Sequence, residues 1–191
     1  RMAARQLDKG KVLVVDEAYI AFGDQPSAVT LIQRYPNLLV TRTMSKDHSL
    51  AGLRVGYAIA QRPLIEGLIR VKDSFNSYPL DRLAIAGATA AIEDEAYFAL
   101  RLQQVKQTRD WFYEALIQRG FVSPRSSANF VFAKHATVPG KLIFDQLRAR
   151  AILVRRFDKP QIEDYLRITI GTQEQMEEVL RALDEILAQA R

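Results

Sequence analysis

The stretch TMSKDHSLAGLRVGY, residues 43 to 57, is the part of this sequence that decides the predicted fold. It places a single lysine, Lys46, beside the hydroxyl residues Thr43 and Ser45, and it places Arg54 two residues before a glycine. An amine, a cation and two hydroxyls gathered at a strand end could hold a phosphate group while the amine reacts with a carbonyl carbon. We take that chemistry as the hypothesis that the neighbouring segments must support.

The segments before this stretch predict a strand–helix–strand unit. KVLVVD, residues 11 to 16, is a largely β-branched run ending in an acid, which is typical of a strand buried on both faces in a parallel sheet. Residues 27 to 35 predict a helix, and NLLVTRT, residues 37 to 43, predicts the next strand. Such units bind ligands at the carboxyl ends of their strands. Asp16 and Thr43 both fall at those ends, so the unit predicts a site there.

The rest of the sequence predicts further elements and a second, smaller domain. A third strand, VGYAIA, precedes predicted helices over residues 62 to 74 and 81 to 94. The later predicted elements are a long amphipathic helix from about residue 96 to Gly120, the strand ANFVFA, a helix near residues 139 to 150, the strands ILVR and YLRITI, and a final helix. Apolar residues repeat at helical spacing in that final helix, which predicts a core face of Met176, Val179, Leu180, Leu183, Ile186 and Leu187. We therefore predict two domains, residues 1–95 and residues 96–191.

Composition restricts the class of protein. The 191 residues carry 27 basic and 22 acidic side chains, a net charge of +5, and the charges are interspersed, so no nucleic-acid partner is expected. No apolar stretch approaches the roughly 20 residues of a membrane span, and the start RMAARQLDKGK lacks the apolar centre of a signal peptide. We therefore expect a soluble, cytoplasmic protein without a membrane partner. The absence of cysteine and the presence of only two histidines, His48 and His135, predict no disulfide and no metal site.

Four motifs occur in order over residues 12 to 172: VVDEAYIAF, TRTMSKDHSLAGLRVGY, FNSYPLDRLA and YLRITIGT. Together they resemble the fold type I pyridoxal-phosphate enzymes, and within them the aminotransferases close to histidinol-phosphate aminotransferase. The resemblance implies an α/β chain with the type I fold of pyridoxal-phosphate-dependent transferases. Residues 1–95 would be the carboxyl-terminal part of the large cofactor-binding domain, with a mostly parallel sheet and helices, and residues 96–191 a small α/β domain. The implied cofactor is pyridoxal 5'-phosphate.

The resemblance implies roles for three residues around the cofactor ring. Lys46 would form a Schiff base with the cofactor and would be the catalytic residue that moves the substrate proton. Asp16 would pair with the protonated ring nitrogen, and Tyr19 would contact the ring 3-oxygen. Taken alone, Lys46 would be a solvated charge, Asp16 a turn or helix-capping acid, and Tyr19 a packing residue. The ordered set of motifs favours the functional interpretation.

The resemblance also implies residues that bind phosphate and substrate. Ser45 and Arg54 would hold the cofactor phosphate, with Thr43 as a helper. Arg167, in YLRITIG, matches the arginine that binds the substrate α-carboxylate in this superfamily. Arg155, in ILVRR, matches a position that helps to bind the substrate phosphate in the histidinol-phosphate group. For each of these two arginines taken alone, the alternative is a surface charge at a strand end.

Five neighbouring residues stay outside the predicted site. Arg156 is an alternative to its neighbour in the sequence as the substrate ligand, because strand alternation lets only one of the two face the site. Asp47 and His48 follow the lysine where many relatives carry small or apolar residues, and His48 is either a proton shuttle or a solvated turn residue. Asn76 and Tyr78, in FNSYPLD, either contact the pocket or a partner subunit or only form a turn between two helices.

The combined prediction is the carboxyl-terminal portion of a pyridoxal-phosphate-dependent aminotransferase of histidine biosynthesis. Its partners would be a small-molecule amino donor and a keto acid or phosphorylated substrate, with glutamate and histidinol phosphate as the expected pair, and the resemblance implies a homodimer. A decarboxylase of a phosphorylated amino acid is an alternative that shares these motifs. A non-catalytic fragment is another, because the first strand begins near residue 11 and we expect a truncated chain without the amino-terminal half of the active site.

Overall fold

A computed structural model describes residues 10–76 and 78–190 of the chain. The chain divides into two compact units, Arg1–Ala99 and Leu100–Arg191. Residues 1–9 lie outside the described residues, as do Ser77 and Arg191. Most of the start RMAARQLDKGK, which we predict is not a signal peptide, falls in that first segment. Within the two described ranges, no helix has both the length and the apolar character that crossing a bilayer requires.

A three-stranded mixed sheet forms the centre of the first unit. Its strands, in spatial order, are β1 (Leu13–Asp16), β2 (Leu38–Thr43) and β3 (Gly56–Ala60). β1 and β2 are parallel, with Asp16 opposite Thr41, whereas β3 is antiparallel to β2, with Thr43 opposite Gly56. The predicted α/β class is confirmed. The prediction that the first strand is buried on both faces is wrong, because Val12 and Val14 are 53% and 56% exposed. The third strand turns back beside β2 because the connection between them folds into turns and a three-residue 3₁₀ helix instead of a crossover helix.

The helix predicted over residues 27 to 35 is wrong in type and length. A short 3₁₀ helix, Ala28–Leu31, takes its place, with i to i+3 hydrogen bonds such as the 3.3 Å bond from the Thr30 N–H to the Ser27 carbonyl. The side chain of Ser27 caps its start by accepting a backbone N–H at 3.1 Å. Pro36 disfavours the helical conformation in the residue before it, so a longer helix could not extend to the end of the segment.

Two helices follow β3, close to the predicted ranges: α1 (Arg62–Phe75) and α2 (Arg82–Glu93). Asp81 begins α2 as its cap, since its carboxylate accepts the Ala84 N–H at 2.8 Å. The small residues of α2 then pack against the motif around Lys46 in a buried cluster of Met44, Val55, Ala84 and Ala88. Met44 is only 1% exposed. A second apolar cluster of the unit surrounds β1 and β2 and contains Ile32, Leu38 and Val40.

The second unit is built on a four-stranded sheet in which every described strand pair is antiparallel. Its strands, in spatial order, are β4 (Phe121–Val122), β5 (Phe130–His135), β7 (Leu166–Thr169) and β6 (Arg155–Arg156). The helices are α3 (Glu95–Gln118), whose first turns contain the boundary between the units, α4 (Gly140–Ala149) and α5 (Gln173–Gln189). Gly120 follows α3 with a φ of 83°, as the predicted helix end requires.

The core of this unit lies between its helices and one face of its sheet. Alternate strand residues, Val131 and Ala133 of β5 and Leu166 and Ile168 of β7, are buried there. The predicted core face of α5 is confirmed, because Met176, Val179, Leu180, Leu183 and Ile186 are buried and Leu187 packs against them. Met176, at 2% exposure, is as enclosed as its counterpart Met44 in the first unit. The intervening strand residues point to the opposite face of the sheet.

Candidate active site

The turn after β2 fixes its two hydroxyl residues against each other. The Ser45 N–H donates to Thr43 Oγ1 at 3.2 Å, and Thr43 Oγ1 donates to Ser45 Oγ at 2.9 Å. Met44 lies between them and is buried. Its N–H donates to the Val55 carbonyl at 3.1 Å, and its carbonyl accepts the Leu50 N–H at 3.0 Å. Burying the middle residue leaves the neighbouring polar groups at the surface of the turn. The local sequence therefore produces a rigid polar loop at a strand end.

The carboxyl ends of β1 and β2 bring three predicted ring residues to one edge of the sheet. Asp16 is exposed at the end of β1, and its carboxylate accepts the Ala18 N–H at 3.0 Å, which shapes the turn leading to Tyr19. Lys46, also exposed, follows the parallel strand β2. Its Nζ lies over the face of the Tyr19 ring, 6.0 Å from the ring centroid. The amine and the phenol ring thus meet although 27 positions of sequence separate them.

Arg54 reaches the same loop from the other side of the motif. The Met44 N–H donates to the Val55 carbonyl. Ser45 follows Met44 and Arg54 precedes Val55 in the sequence, so this bond brings their backbones close together. The Arg54 guanidinium is exposed and donates from Nη1 to the Ala51 carbonyl at 2.9 Å. Its backbone is left-handed, with a φ of 56°, a conformation that non-glycine residues seldom adopt. A guanidinium presents several N–H donors in a planar fork, which suits an anion such as phosphate.

Arg155 and Arg167 lie together on the open face of the sheet in the second unit. They are directly opposed in the pairing of β6 with β7. The Arg155 guanidinium carbon lies 5.3 Å from the centroid of the Phe157 ring, and that of Arg167 lies 5.9 Å from the same centroid. Arg167 also lies 5.4 Å from the centroid of Phe130. Two cations that share one aromatic neighbour form a positively charged, partly apolar surface that suits an anionic ligand.

Arg156 is engaged by its own neighbours on the other side of β6. Its Nε donates to the Glu163 carbonyl at 2.7 Å, and its Nη1 lies 3.5 Å from a carboxylate oxygen of Asp158. Of the two adjacent arginines, the structure therefore places Arg155 beside Arg167 and occupies Arg156 with local contacts. This arrangement favours Arg155 as the residue that takes part in substrate binding.

A buried ion pair that the sequence analysis missed lies behind the edge of β1 and β2. Glu17, whose side chain is 4% exposed, pairs with Arg42 at 2.9 Å and also accepts hydrogen bonds from Ser27 and the Ala28 N–H. One signal was available in the sequence. Arg42 occupies the same strand face as the buried Leu38 and Val40, and a cation on the buried face of a strand requires an acidic partner.

The electrostatics of this pair keep both members charged. Burial opposes ionisation of Glu17, but the hydrogen bonds from Ala28, Ser27 and Arg42 outweigh it and hold the pKa of the carboxyl below its usual range. Burial likewise acts to lower the pKa of Arg42, but Glu17 and the hydroxyl of Tyr57 raise it above its ordinary value. Both groups are therefore ionised across the neutral pH range.

Asp47 and His48 form a packed pair rather than a solvated turn. The His48 Nδ1 lies 2.9 Å from Asp47 Oδ1, and each side chain is only 14% exposed. The imidazole also stacks on the ring of Phe98 at a centroid separation of 4.5 Å. The predicted alternative of a solvated turn histidine is therefore wrong, because the ring has an ionic and an aromatic neighbour. Asn76 follows α1, and Tyr78 is 93% exposed.

Comparison with protein families identifies the class to which the chain belongs. The family described as aminotransferase class I and II matches residues 1–183. The chain therefore belongs to the aminotransferase class I and II family.

The names of its curated relatives are more specific than the family description. The chain is 56% identical over 182 residues to histidinol-phosphate aminotransferase 1 of Hydrogenovibrio crunogenus, covering 95% of this chain and 51% of that protein. It is 55% identical over 178 residues to histidinol-phosphate aminotransferase 2 of Rhizobium meliloti, covering 93% and 50%. The crystal structure of the histidinol-phosphate aminotransferase from Clostridium acetobutylicum matches with a TM-score of 0.88 and 27% identity, over 97% of this chain and 57% of that one. The chain spans about half the length of the curated relatives it matches.

Proposed function

We propose that the intact protein is a pyridoxal-phosphate-dependent aminotransferase that exchanges an amino group between glutamate and histidinol phosphate in histidine biosynthesis. One observation carries the proposal: an exposed lysine, a tyrosine ring and an aspartate from two parallel strand ends lie at one edge of a sheet. The relatives that share more than half of their aligned residues with this chain are named histidinol-phosphate aminotransferase. Their names favour transamination over decarboxylation of a phosphorylated amino acid.

The donor set at the strand ends fits pyridoxal 5'-phosphate. When bound, the cofactor supplies an electron-accepting ring that stabilises negative charge at the carbon that loses its proton. The Lys46 amine would be the group that holds the cofactor, and as a free amine it would move the proton to and from the substrate α-carbon. Asp16 would keep the ring nitrogen in its protonated form, and the hydroxyl of Tyr19 would donate a hydrogen bond to the ring oxygen. The exposed lysine and aspartate leave both groups accessible for these contacts.

The phosphate of the cofactor is assigned to the polar loop. Ser45 and Arg54 would bind it, and Thr43 would orient the Ser45 hydroxyl through their 2.9 Å hydrogen bond. The guanidinium of Arg54 provides the positive charge, and the hydroxyls provide neutral hydrogen bonds. This division explains why the motif combines small hydroxyl residues with one arginine.

The substrate is assigned to the two arginines of the second unit. Arg167 binds the α-carboxylate of glutamate in the amino-acid half of the reaction. Histidinol phosphate has no such carboxylate, so its phosphate is bound by Arg167 or Arg155. The shared aromatic neighbour Phe157 gives the same surface an apolar part that suits an imidazole ring.

The wider organisation belongs to the same proposal. Residues 1–95 would form part of a large cofactor-binding domain, residues 96–191 a small domain, and two copies of the protein a homodimer in the cytoplasm. These assignments are supported by the resemblance of the four motifs and by membership of the family.

Covalent trapping tests the proposal at its central residue. The intact protein is incubated with pyridoxal phosphate, reduced with borohydride and mapped by peptide mass spectrometry. We expect selective labelling of Lys46, loss of that label in Arg54→Ala, and no change in Lys72→Arg, which removes another exposed lysine. Labelling spread over many lysines would contradict the proposal and support a chain that has lost cofactor binding.

Product analysis separates the two reactions. Incubation of the intact protein with histidinol phosphate and 2-oxoglutarate should yield glutamate and a phosphorylated keto product, without carbon dioxide. Release of carbon dioxide from a phosphorylated amino acid, with no glutamate formed, would instead identify a decarboxylase.

A further inference from the structure

Glu17 and Arg42 each lie one residue from a member of the proposed site. Glu17 follows Asp16, and Arg42 precedes Thr43. Because successive residues of a strand point to opposite faces, Arg42 lies on the face opposite Thr43. Glu17 directly follows β1 and bonds through its N–H to the Thr41 carbonyl of β2, and its side chain pairs with Arg42. Asp16 is exposed, whereas the side chains of Glu17 and Arg42 are 4% and 28% exposed. The ion pair therefore lies directly behind the edge that carries the reactive groups.

Both oxygens of the Glu17 carboxylate accept hydrogen bonds. Its Oε1 accepts the Ala28 N–H at 2.6 Å, and its Oε2 accepts the Ser27 hydroxyl at 2.8 Å. Oε2 also accepts Nη2 and Nε of Arg42 at 2.9 and 3.1 Å. Arg42 Nη2 in turn donates to Ser27 Oγ at 2.8 Å. Such a fully satisfied charged network is rigid, because moving one member leaves the others buried without partners.

Backbone hydrogen bonds connect Glu17 both to β2 and to the turn that follows β1. The Glu17 N–H donates to the Thr41 carbonyl of β2 at 2.8 Å. The Glu17 carbonyl accepts the Ile20 N–H at 3.2 Å and so closes the turn that carries Tyr19. The ion pair with Arg42 adds a side-chain link across the same two segments. One residue thus joins the turn after β1 to the strand that leads to Lys46.

We infer that Glu17 is a positioning residue that, through Arg42, holds the turn bearing Asp16 and Tyr19 in a fixed relation to the strand end bearing Lys46. The inference rests on the proposed function, because that relation is where the cofactor ring would lie against the reactive amine. Preorganised supports of this kind set how well a site holds its ligand without touching it. Loosening the link changes the ring's orientation while every residue that touches the cofactor remains.

The test compares Glu17→Gln with a matched core variant in the intact protein. Glutamine keeps the shape of the side chain but turns an amide donor toward either Ala28 or Arg42, both of which are donors. Val40→Ala is the control, because it removes contacts from the buried apolar part of β2 and leaves the ion pair intact. Three quantities are measured for each variant: the melting temperature without cofactor, the dissociation constant of pyridoxal phosphate, and the circular dichroism induced in the bound cofactor.

We expect Glu17→Gln to weaken pyridoxal phosphate binding about tenfold and to reduce the induced circular dichroism. Val40→Ala should lower the melting temperature at least as much and leave both cofactor measurements near those of the unmodified protein. Combining Glu17→Gln with Arg42→Gln should cause little further loss, since the two side chains act as one unit. If Glu17→Gln does not fold, Arg42→Lys keeps the charge, loses the guanidinium fork and should show the same reduction in induced signal.

Unchanged cofactor binding and induced signal in the Glu17 variant would overturn the inference, as would an equal loss in Val40→Ala. Trapping at Lys46 in the unmodified protein distinguishes this failure from that of the proposed function. If Lys46 is trapped and Glu17→Gln behaves like the control, only the positioning role is lost. If the unmodified protein binds no pyridoxal phosphate, both proposals are wrong.

Discussion

At the scale of single residues, the loop that carries Lys46 contains two strained positions. Ser49 and Arg54 have φ values of 58° and 56°, in the left-handed region. For residues with a Cβ this conformation costs on the order of 1 kcal/mol or more, and such strain is concentrated at functional sites. The loop accepts this strain while packing Met44 inward. Its shape is therefore determined by the buried cluster and the backbone bonds, and the polar side chains follow.

Phosphate binding by Arg54 is a prediction at this scale. Arg54→Ala should weaken the binding of pyridoxal phosphate by about 10-fold to 100-fold, since a charged hydrogen bond contributes roughly 1.5 to 3 kcal/mol. Arg54→Lys should lose less, because it keeps the charge but not the planar fork. Fluorescence titration with pyridoxal phosphate provides the measurement. Ser49→Gly is the control that relieves nearby strain without removing a cation, and an alanine variant that binds as well as this control would refute the role.

The depressed pKa of Glu17 predicts a pH-dependent stability. Because its folded-state pKa lies below the ordinary value of 4.5, the carboxylate stabilises the fold above that pH and loses this contribution as pH falls through the folded pKa. The difference in unfolding free energy between the unmodified protein and Glu17→Gln should thus be constant near neutral pH and shrink below about pH 4.5. Urea unfolding over a series of pH values measures it.

The control for this pH prediction is Glu66→Gln, which removes an exposed pair with Arg62. An exposed pair contributes at most about 1 kcal/mol, so this variant should differ little from the unmodified protein at any pH. A gap for Glu17→Gln that stays constant down to the acid unfolding of the protein would show that its charge does not stabilise the fold.

At the scale of elements, local sequence patterns predicted the helices that are stabilised by interactions within a few residues. The apolar repeat of α5 and the helix predicted over residues 81 to 94 are encoded by local sequence, and both formed close to where the pattern placed them. The α-helix predicted over residues 27 to 35 does not form, because the Ser27 cap and the i to i+3 hydrogen bonds stabilise a short 3₁₀ helix instead. Within the predicted site, motif order was enough to propose Asp16 and Lys46, which the structure places at neighbouring strand ends. The contact of Glu17 with Arg42 could not be proposed in this way, since it depends on the register between β1 and β2.

Two helical glycines predict opposite effects of the same substitution. A Cβ added at Gly140, the first residue of α4, would overlap the backbone of Asp164, so Gly140→Ala should destabilise the protein by about 1 to 3 kcal/mol. A Cβ added at Gly67 of α1 would meet open space, so Gly67→Ala should stabilise it by about 1 kcal/mol. Urea unfolding of both variants measures the signs. Stabilisation by Gly140→Ala would mean that α4 can shift away from Asp164 at little cost.

At the scale of the whole molecule, the proposed roles divide between the two units. The residues assigned to the cofactor belong to the first unit, and Arg155 and Arg167, which are assigned to the substrate, belong to the second. Each group is organised by contacts within its own unit. Binding of cofactor and selection of substrate should therefore respond to different substitutions.

This division predicts separable losses of function. Arg167→Gln should lower kcat/KM for glutamate by about 100-fold or more, because it removes a charged bond to the carboxylate, while borohydride trapping at Lys46 remains unchanged. Arg156→Gln is the matched control on the adjacent strand, since its contacts are with Asp158 and Glu163. Steady-state kinetics with both variants provides the measurement. Equal effects of the two substitutions would contradict the assignment of Arg167.

The burial of Met44 and Met176 gives each unit a natural chemical reporter. Both thioethers are enclosed, at 1% and 2% exposure, and the chain has no cysteine to compete for an oxidant. Hydrogen peroxide should therefore convert each methionine to its sulfoxide only when the surrounding unit opens. Peptide mass spectrometry over time would give two oxidation rates from one sample. Equal rates would mean that the two units open with similar free energies, and unequal rates would show which part of the protein is the less stable.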